Sequence, residues 1–198
     1  MYEDTVNITT GAEKMEHLRE KELSSEQIYS GKIIDLYVQE VELPDGKTSK
    51  REIIKHPGAV AVIALTSNGK ILMVEQFRKA LERTLVEIPA GKLEKGEKPE
   101  TTAVRELEEE TGYTAGSIDH LISFYTSPGF ADELVHLYIT EDLIPLENKA
   151  SLDEDEFVEL MEVTLEKAEE MVANGRIYDA KTAYAVQYLQ LRQAMKGK

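Results

Sequence analysis

A mixed α/β fold is predicted by three features of the amino-acid sequence. Two apolar runs of strand length, over residues 58–66 and 70–77, are joined by a Ser67-Asn68-Gly69 turn. A helical stretch begins at Pro99 and ends at Gly112, and two more helical stretches finish the chain. Strands on both sides of a central helix, followed by further helices, are typical of mixed α/β proteins.

Length and composition limit the class of protein. The 198 residues are enough to bury a sizeable core. None is cysteine, so disulfides and thiolate metal sites are excluded and a reducing compartment is expected. The first residues lack a basic region followed by an apolar run, and no stretch approaches membrane-spanning length. We therefore expect a cytoplasmic protein that does not enter a membrane.

The chain is strongly acidic. It has 38 acidic and 23 basic residues, which give a formal net charge of −15. Such a surface repels nucleic acid and anionic membranes, so neither is an expected partner. A substrate that carries phosphate would need local cations or a metal ion. Ordinary solubility is the alternative explanation and accounts for most of the excess charge.

The first 56 residues are predicted to form a polar arm and a β-hairpin. Residues 1–26 are polar, with a short helix predicted over residues 13–22. Strands are predicted over residues 28–41 and 49–56, since the sequence Leu-Pro-Asp-Gly-Lys between them is typical of a hairpin turn.

The rest of the chain is predicted to alternate between strands and helices. After the two apolar strands comes a charged loop over residues 78–83. Residues 84–89 follow this loop, and further strands are predicted at residues 118–126, 134–139 and 157–163. Helices follow at residues 165–174, capped by Thr164 and Gly175, and at residues 180–195, begun by Asp179. In the last helix, core packing is predicted for four residues at helical spacing: Tyr184, Tyr188, Leu191 and Met195.

Residues 91–113 carry the strongest functional signal, because they combine a glycine-opened loop, a helix and a run of carboxylates. Pro99 suits the first helical position and Gly112 the C-terminal cap. A packing stripe is predicted from Ala103, Val104, Leu107 and Thr111. The opposite side carries Glu106, Glu109 and Glu110.

These three glutamates need an explanation. Like charges one turn apart destabilise a helix by roughly 0.2–0.5 kcal/mol per pair, so some counter-charge is implied. A solvated acidic face is the ordinary alternative. Their position behind a glycine loop favours a site for a hard divalent cation, which takes oxygen ligands and is often completed by substrate phosphates.

Other chemistries find little support. The Gly91–Lys98 stretch lacks the lysine and hydroxyl residue of a P-loop, because Glu97 and Lys98 stand in their places. There is no Gly-x-Ser-x-Gly motif and no thiol nucleophile. The four histidines are scattered, and His136, inside a predicted strand, is interpreted as structural.

The segment resembles the Nudix box, and the chain is identified by this resemblance as a member of the Nudix hydrolase family. The fixed positions of that motif match Gly91, Glu97, Arg105, Glu106, Leu107, Glu109, Glu110 and Gly112. Tyr113 departs from the aliphatic residue that the motif prefers, yet still packs as a hydrophobe. The resemblance implies an α/β/α sandwich with a mixed sheet over residues 57–198. Residues 1–56 would be an N-terminal arm and a β-rich dimerisation subdomain.

The resemblance also implies a metal site. Glu106, Glu109 and Glu110 would bind magnesium, with manganese as a substitute, together with the carbonyl of Ala90. Arg105 would orient the glutamates, and Glu97 would brace the loop.

Two further features resemble the ADP-ribose pyrophosphatases of this family. Pro128 follows Gly112 by sixteen residues, and Ser127 and Glu133 lie beside it as predicted substrate contacts. The acidic stretch over residues 152–156 matches a loop that carries the catalytic base in those enzymes. Glu154 is the best match to the base and Glu156 to a further metal ligand, and a shift of register would exchange the two roles.

The same resemblance assigns the remaining substrate contacts. Tyr29 would stack on adenine, and Arg51 and Glu52 would reach the nucleotide from the partner subunit of a homodimer. Arg78 would bind the diphosphate, since its fork can donate two parallel hydrogen bonds.

The expected function is magnesium-dependent hydrolysis of ADP-ribose to AMP and ribose 5-phosphate. One alternative is the same reaction on another nucleoside diphosphate sugar. The other is a sensor that binds ADP-ribose without hydrolysing it. The complete set of box glutamates argues against this sensor.

Overall fold

The computed structural model describes residues 16–147 and 157–197. The chain forms two compact units. The first contains the described residues up to His56 together with Ser127–Asp132. The second contains Pro57–Thr126 and the described residues from Glu133 onward.

The first unit is built on a three-stranded antiparallel sheet. Its strands are β1 (Lys21–Ser30), β2 (Asp35–Glu42) and β3 (Thr48–Lys55), in that order. The hairpin turn between β2 and β3 is confirmed. The single strand predicted over residues 28–41 is wrong, because a turn closed by a hydrogen bond from Gly31 N to Ile34 O divides it. The helix predicted over residues 13–22 is also wrong in its described part, where a 3-10 turn at Glu16–Leu18 precedes β1.

The segment Ser127–Asp132 packs with β3. The amide of Ile54 donates to the carbonyl of Phe130 at 2.7 Å. The Asp132 carboxylate accepts from the His56 amide at 2.8 Å and from Lys55 Nζ at 2.8 Å. These bonds join residues more than seventy positions apart in the chain, so no local pattern predicts them.

The second unit contains a mixed seven-stranded sheet. The order along it is β10-β5-β4-β9-β8, with β6 paired to β5 and β7 paired to β4. The β4–β9 pair is parallel and the other pairs are antiparallel. The strands are β4 (Ala59–Leu65), β5 (Ile71–Arg78), β6 (Arg83–Glu87), β7 (Ala90–Lys92), β8 (Tyr113–Tyr125), β9 (Leu134–Pro145) and β10 (Val158–Val163).

Helices cover both faces of this sheet, so the α/β/α sandwich is confirmed. They are α1 (Pro99–Thr111), α2 (Leu165–Ala173) and α3 (Ala180–Lys196). Val60, Val62 and Ala64 of β4 pack toward α1, while Ala61 and Ile63 belong to the core beneath α2 and α3. Burial on both faces explains why β4 is apolar without alternation.

Two details of the second unit differ from the sequence prediction. β8 and β9 extend beyond the predicted residues 118–126 and 134–139, because the two strands pair with each other along their length. In α3 the buried side chains are Thr182, Ala185, Val186 and Leu189. Tyr184, Leu191 and Met195 are exposed, so core packing was the wrong prediction for them, whereas Tyr188 is partly buried against the core.

No helix in the described parts of the chain is both long enough and apolar enough to cross a membrane.

Candidate active site

Helix α1 places its glutamates beside strand β7. Glu106 and Glu110 are buried, at 7% and 3% exposure, although they lie on the side predicted to be polar. Ala103, Leu107 and Thr111 are buried as predicted, while Val104 is only partly buried. Burying two carboxylates is costly unless hydrogen bonds and opposite charges stabilise them, which makes this face a candidate site.

Gly91 makes room for the Glu106 carboxylate. A Cβ atom at this position would lie closer than 3.0 Å to all three terminal atoms of the Glu106 side chain. β7 pairs with β4 through Val60 and Gly91, which brings this backbone under α1. The glycine of the motif is therefore required by close approach at this position.

Arg105 neutralises part of the negative charge. Its Nη1 lies 2.8 Å from Glu109 Oε2 and 3.0 Å from Glu106 Oε1, and its Nη2 lies 3.3 Å from Glu97 Oε2. Burial lowers the pKa of the guanidinium, but the hydrogen bond to Glu97 and the three carboxylate charges outweigh this and raise it. Three carboxylates thus share this guanidinium, and their combined charge exceeds its own by two.

Glu97 connects the loop before α1 to the helix itself. Its carboxylate accepts from the Thr102 hydroxyl at 2.8 Å and from Arg105. These bonds, the one from Thr102 first, hold the pKa of Glu97 below its usual range. The contact with Arg105 agrees with the bracing role that the resemblance implies for Glu97.

Glu110 is bound to the strand at the start of the box. Its Oε2 accepts from the Ala90 amide at 3.0 Å. The main chain at Ala90, whose carbonyl is a predicted metal ligand, therefore lies next to a predicted carboxylate ligand.

The donor types fit a hard divalent cation, because three carboxylates and a backbone carbonyl supply oxygen only. Their placement is less favourable. No three histidine, aspartate or glutamate side chains in the described ranges 16–147 and 157–197 are close enough to hold one metal ion. Two of the glutamates lie against Arg105 and the third against the Ala90 amide.

A second buried charged group was missed by the sequence reasoning. Glu87, at the end of β6, is 1% exposed and accepts from Arg78 Nε at 2.6 Å and Nη2 at 2.8 Å. It also accepts from Lys181 Nζ, which donates to Asp179 Oδ1 at 2.9 Å. The available signal was a glutamate between the apolar pair Leu85-Val86 and Ile88, since such a residue in a buried strand needs a cationic partner.

This group sets the protonation state of Glu87. Burial raises the pKa of its carboxyl, but the hydrogen bonds and charges of Arg78 and Lys181 outweigh burial and lower the pKa to about 2. The hydrogen bond to Glu87 first, and then the charges of Glu87, Glu110 and Asp179, raise the pKa of Arg78. Arg78 therefore lies within the electrostatic reach of the box glutamate Glu110.

Four of the predicted substrate contacts lie in the first unit. Tyr29 is 57% exposed and lies near the end of β1, whereas the strand predicted over residues 28–41 would have placed it near the start. Arg51 Nε donates to Glu20 Oε2 at 2.9 Å, and Glu52 is exposed next to it on β3. The Ser127 carbonyl accepts from the Ala131 amide at 2.9 Å within a turn.

The remaining predicted residues are divided between the second unit and the part of the chain outside the described residues. Glu133 accepts a hydrogen bond from the Thr126 hydroxyl. Glu154 and Glu156 lie outside the described residues. His136 hydrogen-bonds through Nδ1 to the Ser123 hydroxyl at 2.8 Å, and burial followed by the charge of His120 lowers its pKa.

Comparison with known families identifies the class of protein. The NUDIX domain model matches residues 55–183, and the model of the nucleoside diphosphate sugar hydrolase N-terminal domain matches residues 20–54. The chain belongs to the Nudix family, and the resemblance found in the box is confirmed.

Individual relatives cover nearly the whole chain. An ADP-ribose pyrophosphatase of Bacillus subtilis (strain 168) is 67% identical over 183 residues, which are 92% of this chain and 99% of the relative. A methanol dehydrogenase activator of Bacillus methanolicus is 62% identical over 179 residues, which are 90% of this chain and 97% of the relative. The crystal structure of an ADP compounds hydrolase is similar to this structure with a TM-score of 0.77 at 18% sequence identity. The similarity covers 90% of this chain and 95% of the hydrolase chain, and it supports the fold.

Proposed function

We propose that the protein is an ADP-ribose pyrophosphatase, which hydrolyses the diphosphate of ADP-ribose to AMP and ribose 5-phosphate. The observation that carries this proposal is the 67% identity to a relative of that name along 99% of the relative's length. The family model that matches residues 20–54, that of the nucleoside diphosphate sugar hydrolase N-terminal domain, supports a nucleoside diphosphate sugar as the class of substrate.

The carboxylates of α1 are proposed to hold the catalytic metal. Glu106, Glu109 and Glu110, with the Ala90 carbonyl, would bind magnesium or manganese, and Glu156 would add a further ligand. When bound, the ion would neutralise charge on the phosphoryl oxygens and lower the pKa of a coordinated water. Glu106 and Glu109 contact Arg105 in the structure, and this contact sets the orientation of their carboxylates before an ion binds.

Two arginines have distinct proposed roles. Arg105 orients the glutamates, because it contacts Glu97, Glu106 and Glu109 at once. Arg78 binds the diphosphate through the guanidinium edge that Glu87 does not use. Positive charge at this point offsets the −15 of the chain, which otherwise repels the substrate.

Glu154 is proposed as the general base. It would take a proton from the attacking water while the water oxygen bonds to one phosphorus and the bridging oxygen leaves with the other phosphoryl group. We expect Glu154→Gln to reduce kcat about a hundredfold or more, the usual range for loss of a general base. Near-normal turnover of this variant at saturating magnesium would contradict the role, and Glu156→Gln tests whether the two residues exchange roles.

Recognition of the nucleoside is proposed to depend on a homodimer in the cytoplasm. Tyr29 would stack on adenine, and Arg51 and Glu52 would reach the nucleotide from the partner subunit. Ser127 and Glu133 would contact the same substrate. Tyr29→Ala should therefore raise KM for ADP-ribose more than it lowers kcat, because stacking binds substrate and transition state alike.

Product analysis tests the proposed function directly. Purified protein is incubated with ADP-ribose and magnesium, beside a Glu110→Gln control, and the products are separated by chromatography. AMP and ribose 5-phosphate from the wild type alone would support both the substrate and the metal site. ADP-glucose, GDP-mannose and NADH are assayed in parallel. Hydrolysis of one of these compounds instead of ADP-ribose would contradict the proposed substrate. If none of the four compounds is hydrolysed, a binding protein is favoured.

A second candidate function comes from the relative named as a methanol dehydrogenase activator, to which the chain is 62% identical. We infer, as this second candidate, that the chain activates a methanol dehydrogenase. Adding the wild type or Glu110→Gln to such a dehydrogenase would test the idea. An unchanged rate with the wild type would reject it.

A further inference from the structure

The guanidinium of Arg78 is held by a row of charged side chains that begins in α3. Asp179 caps that helix by accepting from the Thr182 amide at 3.1 Å, and it also accepts from Lys181 Nζ at 2.9 Å. Lys181 donates in turn to Glu87 Oε2. Glu87 holds Arg78 through two hydrogen bonds of 2.6 and 2.8 Å. The row therefore connects the first turn of α3 with the end of β5.

Arg78 is the most exposed member of this row. Side-chain exposure falls from 14% at Lys181 to 2% at Glu87 and then rises to 41% at Arg78. The desolvation of such buried charges can cancel their mutual attraction, so the row is weak evidence for stability. Orienting Arg78, the exposed end of the row, is a better explanation of why these charges are buried together.

The exposed end presents unused donors. Nε and Nη2 of Arg78 donate side by side to the two oxygens of Glu87, which fixes the plane of the guanidinium. No hydrogen bond among the described residues engages Nη1. Because the guanidinium is planar, its end edge, formed by Nη1 and the second N–H of Nη2, points away from Glu87 and can donate two parallel hydrogen bonds to an anion.

We propose that Lys181 and Glu87 are positioning residues that orient the end edge of Arg78 toward the diphosphate of the substrate. This inference rests on the function proposed above and extends it to α3. Glu87 Oε2 accepts hydrogen bonds from both Arg78 Nη2 and Lys181 Nζ. The bond from Lys181 therefore prevents the carboxylate from turning. The orientation of the carboxylate then determines the orientation of the guanidinium.

Replacement of the ammonium group tests the role of Lys181. Lys181→Met keeps the length of the stem and removes the charge, and we expect KM for ADP-ribose to rise about tenfold with kcat changed much less. Lys181→Arg should restore most of the affinity, because a guanidinium can still donate to both Glu87 and Asp179. An unchanged KM in Lys181→Met would overturn the proposal.

Arg176→Met is a matched control. Arg176 Nη2 lies 2.9 Å from Glu75 Oε2, so this pair also joins β5 to the connection before α3, across 101 positions of the chain. It does not contact Glu87. KM should stay unchanged in this variant. A rise equal to that of Lys181→Met would show that loss of any ion pair to β5 has the same effect, and it would contradict the specific role of Lys181.

A double-mutant cycle separates positioning from general stability. If Lys181 acts through Arg78, adding Lys181→Met to Arg78→Ala should lower kcat/KM no further. A second, independent tenfold loss in the double variant would contradict the proposal. Thermal unfolding of all the variants identifies any that do not fold.

One measurement does not depend on the substrate. The Nε–H proton of Arg78, assigned by NMR from its absence in Arg78→Lys, should exchange with water about tenfold faster in Lys181→Met than in the wild type. An equal exchange rate would overturn the positioning role. Wild-type protein that leaves ADP-ribose intact would contradict the proposed function, and the exchange rate would still decide whether Lys181 holds Arg78.

Discussion

Gly91 is the residue on which the shape of the site depends most directly. Glu106 fills the space that a side chain at this position would take. Glycine is required here because a side chain would not fit, and not because of the backbone conformation, since Gly91 is not among the glycines with a positive φ. A methyl group here would displace the carboxylate of a proposed metal ligand.

Gly91→Ala is expected to lower kcat/KM about a hundredfold, the upper range for disturbing the support of a metal ligand. Steady-state kinetics at several magnesium concentrations would measure the effect. Gly197→Ala is the control, since a Cβ there would meet only the Gln193 carbonyl at 3.8 Å. Equal activity of Gly91→Ala and wild type would contradict the assignment of Glu106.

Glu87 makes stability depend on pH. Its pKa falls from 4.5 to about 2 on folding, so the folded state binds the proton less tightly than the unfolded state. Its contribution is therefore fully present above about pH 4.5 and is lost as the pH falls toward 2.

Urea unfolding of wild type and Glu87→Gln across this pH range would measure that contribution. We expect the wild type to be more stable by about 3 kcal/mol at neutral pH, as for removal of one partner of a buried ion pair. The difference should shrink below pH 4.5. Glu162→Gln, in an exposed pair with Lys70, should show little difference at any pH. A constant difference for Glu87→Gln would contradict the lowered pKa.

At the scale of elements, α1 and the C-terminal helices begin and end for local reasons. Pro99 opens α1, and Gly112 closes it in the left-handed conformation with φ of 75°. Thr164 and Asp179 cap α2 and α3 through their side chains. These signals act within four residues, so the sequence alone was sufficient to predict the helices.

Thr164→Ala tests one such signal. Thr164 Oγ1 accepts from the Lys167 amide at 3.2 Å, and loss of an N-cap of this kind costs about 1 kcal/mol. Chemical denaturation should show that loss, while Thr164→Ser, which keeps the acceptor, should remain close to wild type. Equal stability of the alanine variant would show that the cap contributes nothing.

The strands were predicted less well than the helices. The division between β1 and β2 and the short strand β7 were missed, because a strand depends on its partner as much as on its own residues. In the site, the shared face of the α1 glutamates followed from their spacing, and Arg105 was predicted from the resemblance to the Nudix box. Glu87, Lys181 and Asp179 did not, since Glu87 and Lys181 are 94 positions apart.

At the scale of the whole molecule, strand β1 bears on the proposed homodimer. All ten residues of β1 are exposed, and it is the edge of its sheet. Leu23 and Ile28, 44% and 50% exposed, lie at the two irregularities in its pairing with β2. An exposed apolar edge strand is prone to association with another chain.

Ile28→Lys should weaken the dimer at least about tenfold, because burial of an isoleucine side chain stabilises by more than 1.4 kcal/mol. Sedimentation velocity over a range of concentrations would measure the dissociation constant. Lys47→Ala, in the exposed turn between β2 and β3, is the control. A monomeric wild type, or a dimer indifferent to Ile28→Lys, would contradict this role of β1.

The sequence by itself determined the catalytic class and the elements that carry it. The spacing of the box, the caps of α1 and the two apolar strands are properties of neighbouring residues, and short-range physics is sufficient to interpret them. Only the tertiary structure decided which distant residues meet. Pairing of β7 with β4 places Gly91 under Glu106, and packing of α3 brings Lys181 to Glu87. Contacts of this kind depend on how the layers pack, and packing is set by the whole core rather than by any local pattern.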